Sequence, residues 1–305
     1  MDSKIRHGNV CVPFQLDSEV ITPGVDVVGT VSKCGDAAAV EYGIQPNDCV
    51  ASLVGCGGNS TCIKLKASDV VKVPSLVSPA SAAVVVESYL PAYQALLSGV
   101  SDLERYDLSC LRNKNVLIFG GISPVGQAMI ELSLLLGASK VYTTAVLKHH
   151  NVLKSLGATP LETDCRIWSS EIEKVDIAVD PSCDEPDKNS LQVMKPDGTF
   201  VCFGNGKHSP EGFSWVANTV LNLCSSPSNG TKTVTYNVFD AWENDMEASK
   251  SDLSYLFGLL KLEKIDPQVA GTLNLYKVKN AHSFLDGTRR IQGTFVCLPN
   301  AKKYN

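Results

Sequence analysis

A glycine-rich loop lies near the middle of the chain, between a short apolar run and a mostly apolar helical segment. It reads GGISPVG, with Gly120 and Gly121 at its start and Gly126 at its end. Glycines at this spacing, after a strand and before a helix, make a tight turn and let the backbone approach a phosphate closely. The helix that follows adds free N–H groups and a dipole that favour an anion. The loop therefore predicts a phosphate site.

Two residues of the loop depart from the usual G-x-G-x-x-G pattern. Ser123 stands in the place of the second glycine, and its hydroxyl is able to donate to a phosphate oxygen. Pro124 is predicted to be the first helical residue, where its missing N–H is not needed by the helix. The N–H groups of Val125 and Gly126 are then expected to be available to an anion. A turn without a ligand is the alternative, and the spacing leaves both open.

The end of the next predicted strand bears on the choice of nucleotide. A unit that binds NAD carries an acidic residue there, which contacts the ribose hydroxyls. This chain has Ala145 at that place, followed by Lys148, His149 and His150. A carboxylate at this place would repel the 2′-phosphate of NADPH, but none is present, and Lys148 would attract that phosphate. The sequence therefore favours NADPH over NADH. The alternative for these basic residues is an ordinary solvated start of the next helix.

Strands and helices alternate from about residue 110 onward, which indicates parallel β-α-β units. The predicted strands and helices are, in chain order, Val116–Phe119 (strand), Pro124–Leu136 (helix), Lys140–Ala145 (strand), Lys148–Leu156 (helix), Val175–Val179 (strand), Glu185–Met194 (helix), Gly198–Asn205 (strand), Lys232–Phe239 (strand), Ser251–Glu263 (helix), Gly271–Tyr276 (strand), Val278–Leu285 (helix) and Gly293–Leu298 (strand).

The first part of the chain is predicted to contain short strands and turns rather than alternating strands and helices. Three β-prone pieces, residues 26–35, 47–58 and 60–74, each read as a strand followed by a turn. Helical periodicity begins at Ser78, with Ser-Pro as a start signal. The fold class is therefore α/β, a doubly wound parallel sheet with a smaller β-rich part.

Composition excludes several classes of function. The 305 residues are 44% hydrophobic and 19% charged, as in an ordinary globular protein, and the net charge is −5 with no block of lysine or arginine. Nucleic acid and membrane surfaces are therefore not expected partners. The apolar runs are too short to span a bilayer, and the first residues carry no apolar segment typical of a secretory signal. We expect a cytoplasmic protein.

The cysteines predict free thiols rather than a metal site. Eleven are spread over the chain, and no C-x-x-C pair occurs among them. His149 and His150 are adjacent, so on a helix their side chains diverge by about 100° and cannot share a metal. No metal is expected.

The order of motifs resembles the medium-chain dehydrogenase/reductase superfamily, and within it the zinc-free quinone oxidoreductase and enoyl reductase branch. The resemblance runs from about residue 4 to 298. It is carried by PGVDVVGTV, SLVSPASAAVVV with PAYQALL, NVLIFGGISPVGQAMIELSLLLGASKV, LKSLGA, VDIAVDPS, MKPDGTFVCFGN and GTFVCL.

The resemblance implies a domain organisation and an activity. It implies a partial GroES-like substrate domain over residues 1–90 and a Rossmann NADP-binding domain over 91–240. Residues 241–305 would complete the Rossmann domain and return to the GroES-like one. The implied protein is a homodimer. It would transfer a hydride from NADPH to a small-molecule substrate, a quinone or an α,β-unsaturated carbonyl compound.

The resemblance also implies where the cofactor lies. The pyrophosphate would lie at the loop and the 2′-phosphate near Lys148. The nicotinamide would lie along the end of the strand that closes with FGN. The full set of expected cofactor-binding residues is Gly120, Gly121, Ser123, Val125, Gly126, Lys148, Phe203, Gly204 and Asn205. Tyr89 and Tyr93 are candidate proton donors, with packing as the alternative for both, and no catalytic residue is assigned.

Several positions depart from the pattern of the superfamily. Val25 and Asp26 stand where its zinc enzymes have a His-Glu pair, so the metal ligand is missing. Pro91 replaces a threonine and Thr294 replaces a lysine. A catalytic tyrosine of the enoyl reductases falls at Val10.

The opening strands of the GroES-like domain are also expected to be missing. A second hypothesis follows from these departures. In it the chain is a non-catalytic member that binds NADP(H), or has a structural role.

Overall fold

A computed structural model of the chain describes residues 2, 5, 21–100, 105–180, 191–204, 230–286 and 293–299. The chain forms two compact units. One consists of Met1–Leu90 with Ala241–Asn305, and the other of Pro91–Asp240.

A six-stranded parallel sheet is the centre of the 91–240 unit. Its order is β6-β5-β4-β7-β8-β9, so the chain builds outward from β4 in one direction and then from β7 in the other. This is the doubly wound order of dinucleotide-binding sheets. The strands are β4 (Asn115–Ile118), β5 (Lys140–Thr144), β6 (Thr159–Leu161), β7 (Val175–Asp180), β8 (Met194–Phe203) and β9 (Lys232–Tyr236).

Two helices of this unit begin at residues whose side chains cap them. The helix after β4 starts with Ser123 as its N-cap and Pro124 as its first residue. The short helix after β6 is capped by Asp164, whose carboxylate accepts from the N–H of Arg166 at 3.0 Å. The helices are α3 (Leu90–Ser98), α4 (Pro124–Leu135), α5 (His150–Ser155), α6 (Cys165–Trp168) and α7 (Val238–Asn244), of which α3 and α7 continue into the other unit.

Apolar side chains from both the strands and the helices fill the core of this unit. Leu117 and Phe200 are fully buried on β4 and β8, and Trp168 packs with them while its indole N–H donates to the carbonyl of Glu162 at 2.8 Å. Parallel strands buried on both faces are expected to be apolar throughout, which the run Val116–Ile118 illustrates.

A polar network holds the amino ends of four strands together. The carboxylate of Asp176 accepts from the backbone N–H of Asn115 at 2.8 Å and from the ammonium of Lys195, also at 2.8 Å. Lys140 and Glu173 form a further ion pair beside it. These residues lie at the opposite edge of the sheet from the glycine loop.

The other unit has two small sheets. One is antiparallel with order β1-β2-β3, and in the other β10 and β11 run parallel. Between α2 and α3 the helix widens into a π turn, Val85–Tyr89, in which the N–H of Leu90 donates to the carbonyl of Val85. The elements are β1 (Asp26–Thr30), α1 (Asp36–Tyr42), β2 (Cys49–Leu53), β3 (Val71–Lys72), α2 (Pro79–Val84), α8 (Met246–Lys261), β10 (Val269–Asn274), α9 (Val278–Asp286) and β11 (Thr294–Leu298).

Several elements differ from the sequence predictions, and α8, for example, begins at Met246 rather than at Ser251. The helix α1 was not expected, and only Val71–Lys72 of the predicted strand in 60–74 is extended. Met194, the predicted end of a helix, instead begins β8, while residues 185–190 lie outside the described part. Val238 and Phe239 belong to α7 rather than to a strand, because the side chain of Asn237 accepts from the N–H of Phe239 at 2.8 Å and starts the helix there.

Within the described residues, no helix has both the length and the apolar composition needed to cross a membrane.

Candidate functional site

The glycine loop connects β4 to α4 at the carboxyl edge of the six-stranded sheet. Its strand lies between β5 and β7, which is where the chain reverses the direction in which it adds strands. Ligands of open parallel sheets bind in the crevice at such a point. The predicted loop residues Gly120, Gly121, Ser123, Val125 and Gly126 are therefore brought together at this place.

Two glycines of the loop allow a very close approach of strand, loop and helix. A Cβ built on Gly121 would lie 2.0 Å from Oγ1 of Thr143, and one on Gly126 would lie 2.6 Å from the carbonyl oxygen of Gly120. No side chain fits at such distances. The first turn of α4 is thus packed directly against the loop, and the loop against the end of β5.

Ser123 closes the loop on itself. Its hydroxyl donates to the carbonyl of Gly120 at 2.9 Å and accepts from the N–H of Gly126 at 3.1 Å. The sequence analysis expected this hydroxyl and this N–H to be available to an anion, and in this structure both are used within the loop. Val125, the second residue of α4, keeps an N–H that the helix itself does not use.

Two threonines at the end of β5 support the loop from below. Oγ1 of Thr144 accepts from the N–H of Gly120 at 3.0 Å, and its carbonyl accepts from Gly121 at 3.2 Å. The hydroxyl of Thr143 donates to the carbonyl of Ile118 at 2.8 Å. Sequence reasoning missed both residues, although two adjacent threonines closing a buried strand were visible in it.

Gln127 is a further residue that sequence reasoning missed. Its side chain is buried in the first turns of α4, and its Nε2 donates to the carbonyl of Ile122 in the loop at 2.8 Å. Within the described part of the chain its Oε1 is buried without a hydrogen-bond partner. Gln127 therefore fixes the carbonyl of Ile122, in the middle of the loop, from inside the helix.

The turn after β5 has no acidic residue. Ala145 is buried at the strand end, and its carbonyl accepts from Nε2 of His150 at 3.0 Å. Lys148 lies in a short 3₁₀ turn, Leu147–His149, with its side chain exposed. A cation, and no carboxylate, is thus presented beyond the end of this strand.

The carboxyl ends of β8 and β9 carry aromatic and amide groups. The rings of Phe203 and Tyr236 stack with centroids 5.7 Å apart. The N–H of Gly204 donates to the carbonyl of Tyr236 at 3.2 Å, and the amide of Asn237 donates to the carbonyl of Gly204. Asn205, predicted for the same site, lies outside the described residues.

Sequence comparison finds distant relatives. No family model matches the chain. Over 211 residues it is 25% identical to the mouse protein Synaptic vesicle membrane protein VAT-1 homolog-like, a match that covers 67% of this chain and 47% of that protein. The chain thus spans about half the length of the curated relatives it matches.

Structural comparison covers nearly the whole chain. A mycobacterial protein complexed with NADPH has a TM-score of 0.74 at 23% identity over 98% of this chain and 87% of its own. A Pseudomonas syringae quinone oxidoreductase gives 0.74 at 19% identity over the same shares, 98% and 87%. The CurK enoyl reductase gives 0.71 at 21% identity over 91% and 79%.

The chain has the fold of these solved structures. These neighbours include a quinone oxidoreductase and an enoyl reductase, so the resemblance drawn from the motif order is confirmed for the fold. The six-stranded parallel sheet confirms the predicted α/β class. At these identities the likeness concerns the fold, and the activity has to be argued from the site.

Several residues singled out in the sequence are placed away from solvent. Tyr89 and Tyr93 are 4% and 1% exposed, so both side chains pack in the interior. Val25 is buried just before β1, and Asp26 begins that strand. Among the described residues, no three histidine, cysteine, aspartate or glutamate side chains are grouped so as to hold a metal ion.

A second polar cluster lies in the unit that contains β1. Burial raises the pKa of Asp26 well above its usual range, and the nearby carboxylates of Glu87 and Asp2 raise it further. Glu87, in the π turn, accepts a hydrogen bond from the hydroxyl of Ser88 and is 3.5 Å from that of Thr294. The sequence analysis did not anticipate this cluster.

Proposed function

We propose that this chain is an NADPH-dependent, zinc-free oxidoreductase that reduces a quinone or an α,β-unsaturated carbonyl compound by hydride transfer. The observation that carries the proposal is the glycine loop at the reversal point of the sheet. There Gly126 lets the first turn of α4 pack against Gly120 and Gly121 in the loop, and Gly121 lets the loop pack against Thr143 of β5. A helix terminus held in this way favours the pyrophosphate of a dinucleotide.

The residues present fit such a cofactor. The N–H of Val125 and the positive end of the α4 dipole would hold the pyrophosphate, beside Gly120, Gly121, Ser123 and Gly126. Bound NADPH supplies the hydride. The remaining work of the protein is to orient the nicotinamide and to exclude water from it.

The charge at the end of β5 supports the preference for NADPH over NADH. Ala145 places no carboxylate there, and the exposed ammonium of Lys148 is available to a 2′-phosphate. Phe203 and Gly204, at the end of β8, support a nicotinamide position at that strand end, and Asn205 stays a prediction. A quinone takes the accompanying proton from solvent, so no buried acid is required for that substrate.

One observation favours the alternative, a non-catalytic family member. The hydroxyl of Ser123 already accepts a hydrogen bond from the N–H of Gly126, so this N–H has a partner without any ligand. The replacements at Pro91, Thr294 and Val10 also support this alternative. Cofactor binding with turnover supports the enzyme, and binding without turnover supports the alternative.

The remaining proposals concern organisation and compartment. We propose that residues 1–90 and the end of the chain form a partial GroES-like substrate domain, which the small antiparallel sheet supports. A homodimer is supported by β9, which pairs on one side only within the described sheet, because exposed edges tend to be covered. Eight described cysteines are free thiols, which supports a cytoplasmic location.

The test is a titration of the full chain with NADPH and, separately, with NADH, followed by nucleotide fluorescence. Turnover is then measured with tetramethyl-1,4-benzoquinone and with but-3-en-2-one. The proposal expects tighter binding of NADPH than of NADH and oxidation of NADPH by at least one acceptor. A folded chain that binds neither nucleotide would overturn it.

The titration needs a variant with a damaged loop. Gly126→Val places a side chain against the carbonyl of Gly120 and should abolish binding. Gly258→Val has no comparable effect, because a Cβ at Gly258 meets nothing within 4 Å and the residue lies on α8 in the other unit.

A further inference from the structure

The turn between β5 and α5 is tied to the end of the strand by a histidine side chain. His150 is the first residue of α5, and its ring nitrogen Nε2 lies 3.0 Å from the carbonyl oxygen of Ala145. Because a carbonyl oxygen only accepts hydrogen bonds, Nε2 carries the proton and donates. Lys148 lies inside the turn that this bond closes.

Ala145 is a fixed point of the sheet. Its side chain is buried, and its N–H donates to the carbonyl of Leu161 on β6 at 2.9 Å. The N–H groups of His149 and His150 donate to carbonyls within the turn itself, three residues earlier in each case. Those two bonds shape the turn, whereas the imidazole bond attaches it to the sheet.

Apolar packing contributes little to the position of the turn. Val146 and Leu147 are 48% and 66% exposed, and the side chain of Lys148 is exposed as well. A turn with so little burial depends on its hydrogen bonds for a defined conformation. The bond from His150 therefore limits the positions that the backbone of Lys148 can take.

A fixed backbone matters for a lysine that binds an anion. An exposed lysine side chain loses rotamer freedom when its ammonium pairs with a phosphate, and this loss opposes binding. If the backbone beneath it is free to move as well, more freedom is lost and binding is weaker. A turn that is held in place before the ligand arrives lowers that cost.

We propose that His150 is a positioning residue for the choice of nucleotide: its imidazole holds the turn between β5 and α5 so that Lys148 meets the 2′-phosphate of NADPH. The inference rests on the proposed function, since it concerns the same cofactor. His150 acts through Lys148 rather than on the nucleotide itself. Its effect should therefore be seen with NADPH and not with NADH, which lacks the 2′-phosphate.

The measurement is a fluorescence titration of the full chain with NADPH and, separately, with NADH. His150→Ala should raise the Kd for NADPH about threefold, the effect expected when one side chain is less well ordered before binding. The Kd for NADH should stay that of the parent. A general loss of structure would weaken the binding of both nucleotides alike, so the ratio of the two Kd values distinguishes positioning from folding.

Two variants control this substitution. His150→Gln places an amide N–H at about the reach of Nε2, so it should recover most of the lost NADPH affinity. Asn151→Ala removes an exposed side chain at the next position of α5 and should change neither Kd. Urea unfolding shows whether each variant is folded.

A double variant tests whether His150 acts through Lys148. In Lys148→Ala the ammonium is gone, so adding His150→Ala should weaken NADPH binding no further. A further loss of the same size in the double variant would mean that His150 acts on the nucleotide by another route, and the inference would be wrong.

The remaining outcomes separate the inference from the proposed function. If the parent prefers NADPH and a folded His150→Ala variant keeps the full preference, the inference is overturned and the proposed function stands. A parent that binds both nucleotides equally overturns the preference for NADPH, and the inference falls with it. A chain that shows the expected Kd values but turns over no acceptor supports the inference and overturns the reductase activity.

Discussion

Gly121 and Thr143 are packed so closely that no side chain could be accommodated between them. A Cβ on Gly121 would lie 2.0 Å from the hydroxyl oxygen of Thr143, which is itself bonded to the carbonyl of Ile118. The end of β5 therefore sets the position of the loop that follows β4. A turn without a partner strand would not require a glycine here for this reason.

This contact predicts a coupled pair of substitutions. Gly121→Ala should lower the free energy of unfolding by about 1–3 kcal/mol, the usual cost of overpacking. Thr143→Ala removes the opposing hydroxyl, so the double variant should lose less stability than the sum of the single ones. Urea unfolding of the four proteins measures this. Additive losses would mean that the two residues do not compete for the same space.

The cap on α4 predicts that stability and affinity respond differently to changes at Ser123. Ser123→Ala should cost about 1 kcal/mol of stability, and Ser123→Gly only a few tenths, because glycine is a tolerable N-cap. Both variants release the N–H of Gly126, so Ser123→Gly should bind NADPH more tightly than the parent. Urea unfolding and the nucleotide titration test the two halves. Weaker binding in Ser123→Gly would show that the hydroxyl itself contacts the phosphate.

The exposed charge of Lys148 predicts that the chain binds NADPH in preference to NADH. Lys148→Ala should weaken NADPH binding about fivefold, the scale of an exposed charge pair, and Lys148→Glu should weaken it further. Binding of NADH should not change in Lys148→Ala, since NADH lacks the 2′-phosphate. Lys154→Ala is the matched control, an exposed lysine on α5. If Lys148→Ala weakened the binding of NADPH and NADH equally, Lys148 would contact a part of the cofactor other than the 2′-phosphate. The loss of NADPH affinity should become smaller as the salt concentration rises.

The raised pKa of Asp26 predicts that the folded chain loses stability as the pH rises. Its pKa is raised in the folded chain, mainly by burial, so the folded chain binds a proton there more tightly than the unfolded one. Stability from this group is complete below the unfolded pKa of about 3.9 and is lost as pH rises through the folded pKa. Asp26→Asn should remove this decline. Urea unfolding from acid to neutral pH compares the two proteins.

Glu87→Gln tests the cause of the Asp26 shift. Removing a nearby negative charge lowers the pKa of Asp26, so the decline in stability should move to lower pH. Burial is the larger cause, so part of the shift should persist. If the free energy of unfolding of the parent and of Asp26→Asn changed with pH in the same way, Asp26 would not be the group responsible for the decline.

Local rules predicted the starts of two helices correctly, although not the start of α8 at Met246. Ser-Pro before an apolar stretch placed the beginnings of α2 and α4, and the side chains of Ser78 and Ser123 cap both. These are interactions between neighbours in sequence. The alternation of strands and helices gave the parallel sheet for the same reason, since each β-α-β unit closes over a short stretch of chain.

Features set by distant residues were not predicted. The threonines of β5 hold the loop through hydrogen bonds over more than twenty residues, as Thr144 does with Gly120. Whether the hydroxyl of Ser123 faces outward or caps the helix depends on the exact loop geometry. The strand β8 begins at Met194, through a Pro-Asp turn with Asp197 at φ +62°, because pairing with β7 outweighs local preference.

The polar network of Asp176, Asn115 and Lys195 at the amino edge gives the sheet two independent ends. Charged side chains and backbone groups together align the strands at the amino edge, where no ligand is expected. A substitution in the glycine loop leaves this network untouched, so the sheet keeps its support at the amino edge.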